Sequence, residues 1–144
     1  MHDELCAEII ADGKHLPPEL IKLILKVKGT DNVMMCTDSL AVAGSDVKHG
    51  FMLATEFIIE DGVCKLIDRS AFAGSIATTD VLVRVMINEV GISVTEAVKM
   101  LTRIPAKIMK VNKGSFHNGK DADILIFDDD IIMKKIFVGG KEVF

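Results

Sequence analysis

A strand–helix–strand pattern in the first 36 residues constrains the fold of this chain more than any other feature. Cys6 to Ala11 form a short apolar run that ends in an Asp-Gly turn signal, and the run therefore predicts a strand. A Pro-Pro pair then opens a helix with a broad apolar stripe, which Gly29 ends. Val33 to Cys36 are apolar without alternation, as is typical of a buried parallel strand. A unit of this kind is the crossover from which parallel sheets are built.

Asp38 lies just after the second predicted strand. A carboxylate at the carboxyl end of such a strand lies where barrel enzymes keep their catalytic groups. The alternative is that Asp38 only caps the next turn, because Asp-Ser followed by small residues is ordinary loop chemistry. The residues around Asp38 leave both interpretations open.

The middle of the chain predicts a loop, a hairpin and two helices. Residues 39–50 are rich in glycine and small side chains and predict the loop, and residues 51–66 contain two β-like runs around an Asp-Gly pair, a strong hairpin signal. Helices are predicted over residues 79–90 and, after a Ser-x-x-Glu capping box, over residues 93–111. Pro105 should kink or interrupt the second helix.

The last third of the chain is predicted to be antiparallel β-structure. Residues 122–127 form one strand, and residues 134–138 and 141–144 flank a Gly-Gly hairpin signal. The acidic triplet at residues 128–130 is interpreted as a solvated turn, because no further ligands fall at the spacing of a cation-binding loop.

Composition excludes several classes of function. The chain is 49% hydrophobic, which excludes disorder, and its net charge of −4 argues against a nucleic-acid partner. No apolar stretch reaches the roughly 18 residues that a membrane span requires. The three cysteines are an odd number without CxxC spacing, so we expect reduced thiols and a cytoplasmic location.

The chain is too short for the fold that its first half predicts. A closed (β/α)8 barrel needs about 250 residues, whereas this chain has 144 and begins in mid-pattern with a strand. We therefore expect an α/β protein that is the C-terminal piece of a larger enzyme.

Three segments carry a resemblance to a known family. Ile9 to His15, then Cys36 to Ser39 with Ala43-Gly44, and then Ala73 to Ser75 resemble the last third of the N-acetylglucosamine-6-phosphate deacetylase family, which belongs to the metal-dependent amidohydrolase superfamily. The tail from Gly114 to Ile124 resembles the C-terminal signature of that superfamily. The resemblance implies the C-terminal part of a TIM-like (β/α)8 barrel over residues 1–112 and strands of a small β-sandwich over residues 113–144.

The same resemblance implies the role of two residues. Asp38 matches the family's catalytic aspartate, a general base toward a metal-activated water and then a general acid toward the departing amine. His15 matches a histidine that contacts the bound sugar phosphate. Without the resemblance, His15 would be read as a surface histidine at a helix start.

The remaining implied site residues line the substrate pocket. Three of these residues, Asp12, Gly13 and Lys14, belong to the loop that holds His15. The other three, Phe72, Ala73 and Gly74, belong to a later segment that contacts the substrate mostly through backbone groups. Gly13 is expected to allow a tight turn. The family usually has an aliphatic residue where Phe72 stands, so the resemblance assigns no role to that side chain.

A divalent metal ion, expected to be zinc, is implied for the full-length enzyme, where a glutamate and two histidines on earlier strands hold it. This chain starts after those strands. Its four histidines are scattered without HxH or HExxH spacing, so no metal ligand is assigned here. The chain alone is therefore expected to be inactive.

The expected substrate is N-acetylglucosamine 6-phosphate, hydrolysed to glucosamine 6-phosphate and acetate. Uncovered apolar edges of a partial barrel also predict a homo-oligomer, a dimer or higher. One alternative is another amidohydrolase, such as an amino-acid deacetylase, a deaminase or a cyclic-amide hydrolase. The other is a non-catalytic module that binds a sugar phosphate or assembles into oligomers.

Overall fold

The predicted strand–helix–strand unit is present in the computed structural model, which describes residues 4–144. Strand β1 (Ala7–Ile9) and strand β2 (Val33–Met35) pair in parallel, with Ala7 opposite Val33 and Ile9 opposite Met35. Helix α1 (Pro18–Lys28) connects them and ends at Gly29, whose N–H donates to Leu25 O. The parallel pair and its crossover helix confirm that prediction.

The second sheet is an antiparallel meander of three strands, β3 (His49–Met52), β4 (Thr55–Glu60) and β5 (Val63–Leu66). The hairpin predicted at Asp61-Gly62 joins β4 to β5, with Glu60 opposite Val63. The first predicted run is in fact two strands, because the chain turns at Leu53, which has φ +55. That turn lacks the usual turn residues and left no signal in the sequence.

Both predicted helices are present, and each departs from a single regular α-helix. Helix α2 (Thr79–Val85) continues into a π-helical turn (Met86–Val90). Helix α3 (Val94–Leu101) begins with the predicted capping box, in which Ser93 Oγ accepts from Glu96 N at 3.3 Å and Ser93 N donates to Glu96 Oε2 at 3.1 Å. Pro105 interrupts this helix as predicted, and helix α4 (Arg103–Met109) carries it in its first turn.

The tail forms the third sheet, strands β6 (Ile124–Phe127), β7 (Met133–Val138) and β8 (Lys141–Glu142), all antiparallel. The Gly-Gly pair joins β7 to β8 as predicted. The acidic triplet forms a turn in which Asp128 Oδ1 accepts from Asp130 N and Ile132 N, in agreement with the prediction of a turn.

The main hydrophobic core packs the β1–β2 pair against the helices. Its buried side chains are Ile9, Ala11, Ile21, Leu25, Val33, Met35, Leu82, Val83, Met86, Val90, Ala97, Met100, Ile104 and Ile131. Each large aliphatic side chain in it contributes about 1.5–3 kcal/mol of burial free energy. This core fixes the carboxyl ends of β1 and β2.

A smaller cluster of Phe57, Cys64 and Ala73 packs the segment after strand β5, residues 71–75, against the meander. Ala73 N donates to Cys64 O at 3.0 Å, and Leu66 N donates to Ala71 O at 2.9 Å. The segment that contains Phe72 and Gly74 is therefore anchored to strand β5. None of the helices between residues 4 and 144 has the length and apolar character that a membrane span requires.

Candidate active site

Two carboxylates follow the two parallel strands at equivalent positions. Ile9 and Met35 are paired in register, and Asp12 and Asp38 each lie three residues further along their own segment. Because parallel strands end at the same edge of a sheet, both loops lie at one rim. The environments of the two carboxylates are nevertheless opposite.

Asp12 is buried, with 8% of its surface exposed. Its Oδ1 accepts from the N–H groups of Lys14 and His15, both at 2.9 Å, and its Oδ2 contacts His15 Nδ1 at 2.8 Å. Ser75 Oγ donates to the same Oδ2 at 3.3 Å. These four hydrogen bonds occupy all the acceptor positions of the carboxylate, so Asp12 stabilises the conformation of its own loop.

His15 is held between Asp12 and Phe72. The His15 and Phe72 rings meet edge to face, with centroids 5.0 Å apart at 64°. The histidine is therefore fixed at the rim by one polar and one aromatic contact, which is more order than a surface histidine at a helix start would have. Gly13 has φ +71, the left-handed backbone expected for the tight turn of this loop.

Asp38 is exposed, and its carboxylate accepts no hydrogen bond from any residue between 4 and 144. It caps no backbone N–H there, and the turn that follows is held instead by Thr37 Oγ1, which accepts from Ser39 N at 3.4 Å. Asp38 also has φ +47, which is uncommon outside glycine.

The segment after strand β5 ties the two loops together. Ser75 N donates to Asp38 O and Leu40 N donates to Ser75 O, both at 2.9 Å, while the Ser75 side chain reaches Asp12. Gly74 has φ +94, and a Cβ on it would lie 3.2 Å from Leu40 Cδ2 and 3.3 Å from Asp38 O. Sequence reasoning placed Gly74 in the site but assigned no role to Ser75, because a serine after Ala-Gly carries no distinctive signal.

A cleft of about 320 Å³ lies beside Phe72, lined also by Lys65, Arg69, Ser70 and Ala71. Its two cations are already paired, because Lys65 Nζ lies 2.9 Å from Asp61 Oδ2 and Arg69 Nε lies 2.7 Å from Glu60 Oε1. A bound phosphate would have to displace these carboxylates. Lys14, by contrast, is exposed on the His15 loop and forms no ion pair with any residue between 4 and 144.

Two of the cysteine thiols lie in surroundings that raise the pKa and disfavour the thiolate. Burial, with the neighbouring Glu8 carboxylate, raises the pKa of the Cys36 thiol, and burial raises the pKa of the Cys64 thiol. Thiols with a raised pKa stay protonated near neutral pH. All three cysteines of the chain are unpaired.

The residues that the structure describes do not form a metal cage. Between residues 4 and 144, no three His, Cys, Asp or Glu side chains come together as a ligand set. The unpartnered Asp38 carboxylate could supply one oxygen toward a cation, but structural and catalytic zinc sites have at least three protein ligands. The chain thus presents an isolated carboxylate, a fixed histidine and a glycine-lined rim.

Comparison with known proteins agrees with this arrangement. The model of the Amidohydrolase family matches residues 2–143. The N-acetylgalactosamine-6-phosphate deacetylase of Shewanella sp. (strain ANA-3) is 30% identical over 92% of this chain and 34% of its own length. The N-acetylglucosamine-6-phosphate deacetylase of Bacillus subtilis is 31% identical over 90% of this chain and 33% of its own length.

A solved structure shows the same fold. The N-acetylglucosamine-6-phosphate deacetylase of Pasteurella multocida superposes with a TM-score of 0.90 at 31% identity, covering 95% of this chain and 36% of that one. This chain therefore spans about a third of the length of these relatives, and the resemblance noted in its sequence is confirmed. The chain belongs to the amidohydrolase family.

Proposed function

We propose that the enzyme containing this chain hydrolyses the acetamide of N-acetylglucosamine 6-phosphate, giving glucosamine 6-phosphate and acetate. The observation that carries the proposal is the free carboxylate of Asp38 at the end of β2, in a chain similar to deacetylases of amino-sugar phosphates. Of the two carboxylates at this rim, Asp12 is fully hydrogen-bonded, whereas Asp38 keeps its oxygens free to accept a proton.

In the proposed reaction Asp38 first accepts a proton and then donates it. Its carboxylate takes a proton from the water that attacks the acetyl carbonyl, and the resulting carboxylic acid gives that proton to the nitrogen as the C–N bond breaks. The amine then leaves neutral instead of as an unstable anion. A divalent metal ion, zinc in our proposal, would supply Lewis-acid chemistry at the carbonyl, with ligands from polypeptide outside this chain.

Substrate binding is proposed for the remaining rim groups. His15 would contact the sugar phosphate, and Lys14 and the backbone of Gly13 would lie on the same side. Ala73 and Gly74 would line the pocket through backbone groups, with the Phe72 ring as an apolar wall. Two charges on the phosphate favour the exposed Lys14 ammonium as a partner.

We also infer that residues 1–112 complete a TIM-like barrel with strands from outside this chain and that residues 113–144 belong to a small β-sandwich. The β1–β2 pair supports this, because parallel sheets of two strands do not occur alone in stable domains. The unpaired cysteines suit the reducing cytoplasm, which we propose as the compartment.

Acetate release tests the proposal. The intact enzyme, loaded with zinc, should release acetate from N-acetylglucosamine 6-phosphate and act far more weakly on N-acetylglucosamine, because a site built for phosphate rejects the analogue that lacks it. The 144-residue chain alone is the control and should release none. A preference for acetylated amino acids, a deamination product or hydrolysis of a cyclic amide would replace this proposal with another amidohydrolase activity.

N-Acetylgalactosamine 6-phosphate is a second candidate substrate, favoured by the 30% identity to the Shewanella deacetylase. The two sugars differ only in the configuration at C4. The ratio of kcat/KM values for the two phosphates decides between them, and a ratio above one for the glucosamine derivative is expected.

We further propose that the protein is a dimer or a higher oligomer. Helix α1 exposes Leu20, Leu23 and Val27, while strand β3 exposes Phe51 and the turn after it exposes Leu53. Exposed apolar patches of this kind favour association. Light scattering should give at least twice the mass of one chain, and a clean monomer would contradict the proposal.

A further inference from the structure

The Asp12 carboxylate fixes where the proton of the His15 ring must lie. Burial opposes the ionisation of Asp12, but hydrogen bonds from the His15 and Lys14 backbone N–H groups and from the His15 ring outweigh it and hold the pKa of this carboxyl below its ordinary value. Near neutral pH Asp12 is therefore a carboxylate, which accepts hydrogen bonds and donates none.

The contact between Asp12 Oδ2 and His15 Nδ1, at 2.8 Å, then requires a proton on Nδ1. A neutral imidazole carries one proton, so Nε2 is left with a lone pair. Nε2 has no hydrogen-bond partner among residues 4–144, and the side chain keeps 17% of its surface exposed at the rim. The free nitrogen is thus available to a ligand.

We propose that Asp12 is a positioning residue that locks His15 in the tautomer with Nδ1 protonated, so that Nε2 accepts a hydrogen bond from a hydroxyl of the bound amino sugar. The contact with a substrate hydroxyl rests on the proposed function, whereas the assignment of the tautomer does not. This role differs from the one implied by family resemblance, which puts Asp12 among the direct substrate contacts.

Asp12→Asn tests the lock because it replaces the acceptor that faces His15 Nδ1 by a donor in a side chain of the same shape. It also removes the acceptor of the Ser75 hydroxyl, a loss for which Ser75→Ala controls. The amide oxygen can still accept from Lys14 N and His15 N, but its NH2 group replaces the acceptor that faces Nδ1. His15 Nδ1 must then accept, and the ring proton moves to Nε2. The same exchange of carboxylate for amide next to a histidine inverts the tautomer in serine proteases.

Ser75→Ala is the matched control. Ser75 Oγ donates to the same Oδ2 that His15 contacts, and Ser75 is 1% exposed, so the substitution disturbs the same buried network. It leaves the Asp12 carboxylate in place. A merely structural disturbance at this network should therefore leave the His15 tautomer unchanged.

The direct readout is ¹⁵N NMR of the intact enzyme labelled at histidine, near pH 8, with the His15 signals identified by their loss in His15→Gln. We expect a protonated Nδ1 and a bare Nε2 in the wild type and in Ser75→Ala, and the reverse in Asp12→Asn. An Nε2-protonated or doubly protonated wild-type ring would overturn the proposal, and so would an unchanged tautomer in folded Asp12→Asn. Should that variant not fold, the wild-type ring decides the question alone.

Kinetics of the intact enzyme test the hydroxyl contact. Asp12→Asn should raise KM about 10-fold with less change in kcat, because one hydrogen bond to the substrate is lost, and Ser75→Ala should raise KM less. An unchanged KM in Asp12→Asn with an inverted ring would overturn the hydroxyl contact. Absence of acetate release from the wild-type enzyme would instead refute the proposed function, while the NMR result would still decide the tautomer.

Discussion

The loops that follow β1 and β2 place an aspartate at equivalent positions, but the two carboxylates differ in burial and in hydrogen bonding. Each places an aspartate three residues beyond a parallel strand, and the two strands are in register. In the first loop, Gly13 lets the chain fold back so that its own N–H groups saturate Asp12. In the second, Asp38 itself takes the left-handed conformation and its C=O, not its carboxylate, is bonded to Ser75 N. Both carboxylates lie at strand ends, and hydrogen bonding distinguishes Asp12, which organises its own loop, from Asp38, whose carboxylate stays available for the proposed reaction.

Asp38→Asn should give the largest effect on turnover. Removing a general acid–base group costs about 10²- to 10⁴-fold in rate, and we expect a kcat loss within that range for acetate release by the intact enzyme. The free energy of unfolding should change by less than about 0.5 kcal/mol, because the side chain is exposed and unpartnered. Retained turnover would mean that the free carboxylate is not the proton carrier.

Asp12→Ala should give the largest effect on stability. It leaves the N–H groups of Lys14 and His15 without their acceptor at a part-buried site, at up to about 1–3 kcal/mol for each unsatisfied group. Urea unfolding should show a loss of about 2–4 kcal/mol. Asp38→Ala is the matched control, and an equal loss in the two variants would erase the contrast between the loops.

Gly74→Ala should damage the contact that joins the loops. Its Cβ would lie 3.3 Å from Asp38 O, in a backbone at φ +94 that disfavours alanine. Gly91→Ala has the same kind of strain, at φ +85, with nothing within 4 Å. We expect about 1 kcal/mol of destabilisation for Gly91→Ala and about 2 kcal/mol for Gly74→Ala, with a loss of activity only in the latter. Equal effects would show that the close approach to Asp38 does not matter.

Acid should weaken the first loop through Asp12. Its folded-state pKa is lowered, so its contribution to stability is complete above the unfolded-state pKa of about 3.9 and is lost as the pH falls through the folded value. The free energy of unfolding should therefore decline below about pH 4, and decline less steeply in Asp12→Asn. Identical slopes in urea titrations between pH 2 and 5, roughly the range of this linkage, would contradict the assignment.

Local chemistry explains what the sequence could predict. The Ser93 capping box, the break at Pro105 and the Gly139-Gly140 hairpin depend on residues adjacent in the chain, and all three are present. The turn at Leu53 and the π-helical turn at Met86–Val90 were missed because they depend on packing and carry no turn residue of their own.

The position of Asp38 at a strand end was predictable from the sequence, and Asp12 entered the candidate site through the family resemblance. The structure places both residues after the paired strands β1 and β2. The hydrogen bonds that connect them to other segments were not predictable. The hydrogen bond from Ser75 to Asp12 spans 63 positions of sequence, so no local pattern could reveal it. The same holds for the burial that distinguishes one aspartate from the other.

Binding of N-acetylglucosamine 6-phosphate to the intact Asp38→Asn enzyme, measured by titration calorimetry, tests the division of labour between the two carboxylates most directly. If Asp38 acts on protons and Asp12 on loop order, the variant binds the sugar phosphate with nearly the wild-type Kd while releasing almost no acetate. Loss of binding together with loss of turnover would contradict the account, because it would make Asp38 a structural or substrate-holding residue like those of the first loop.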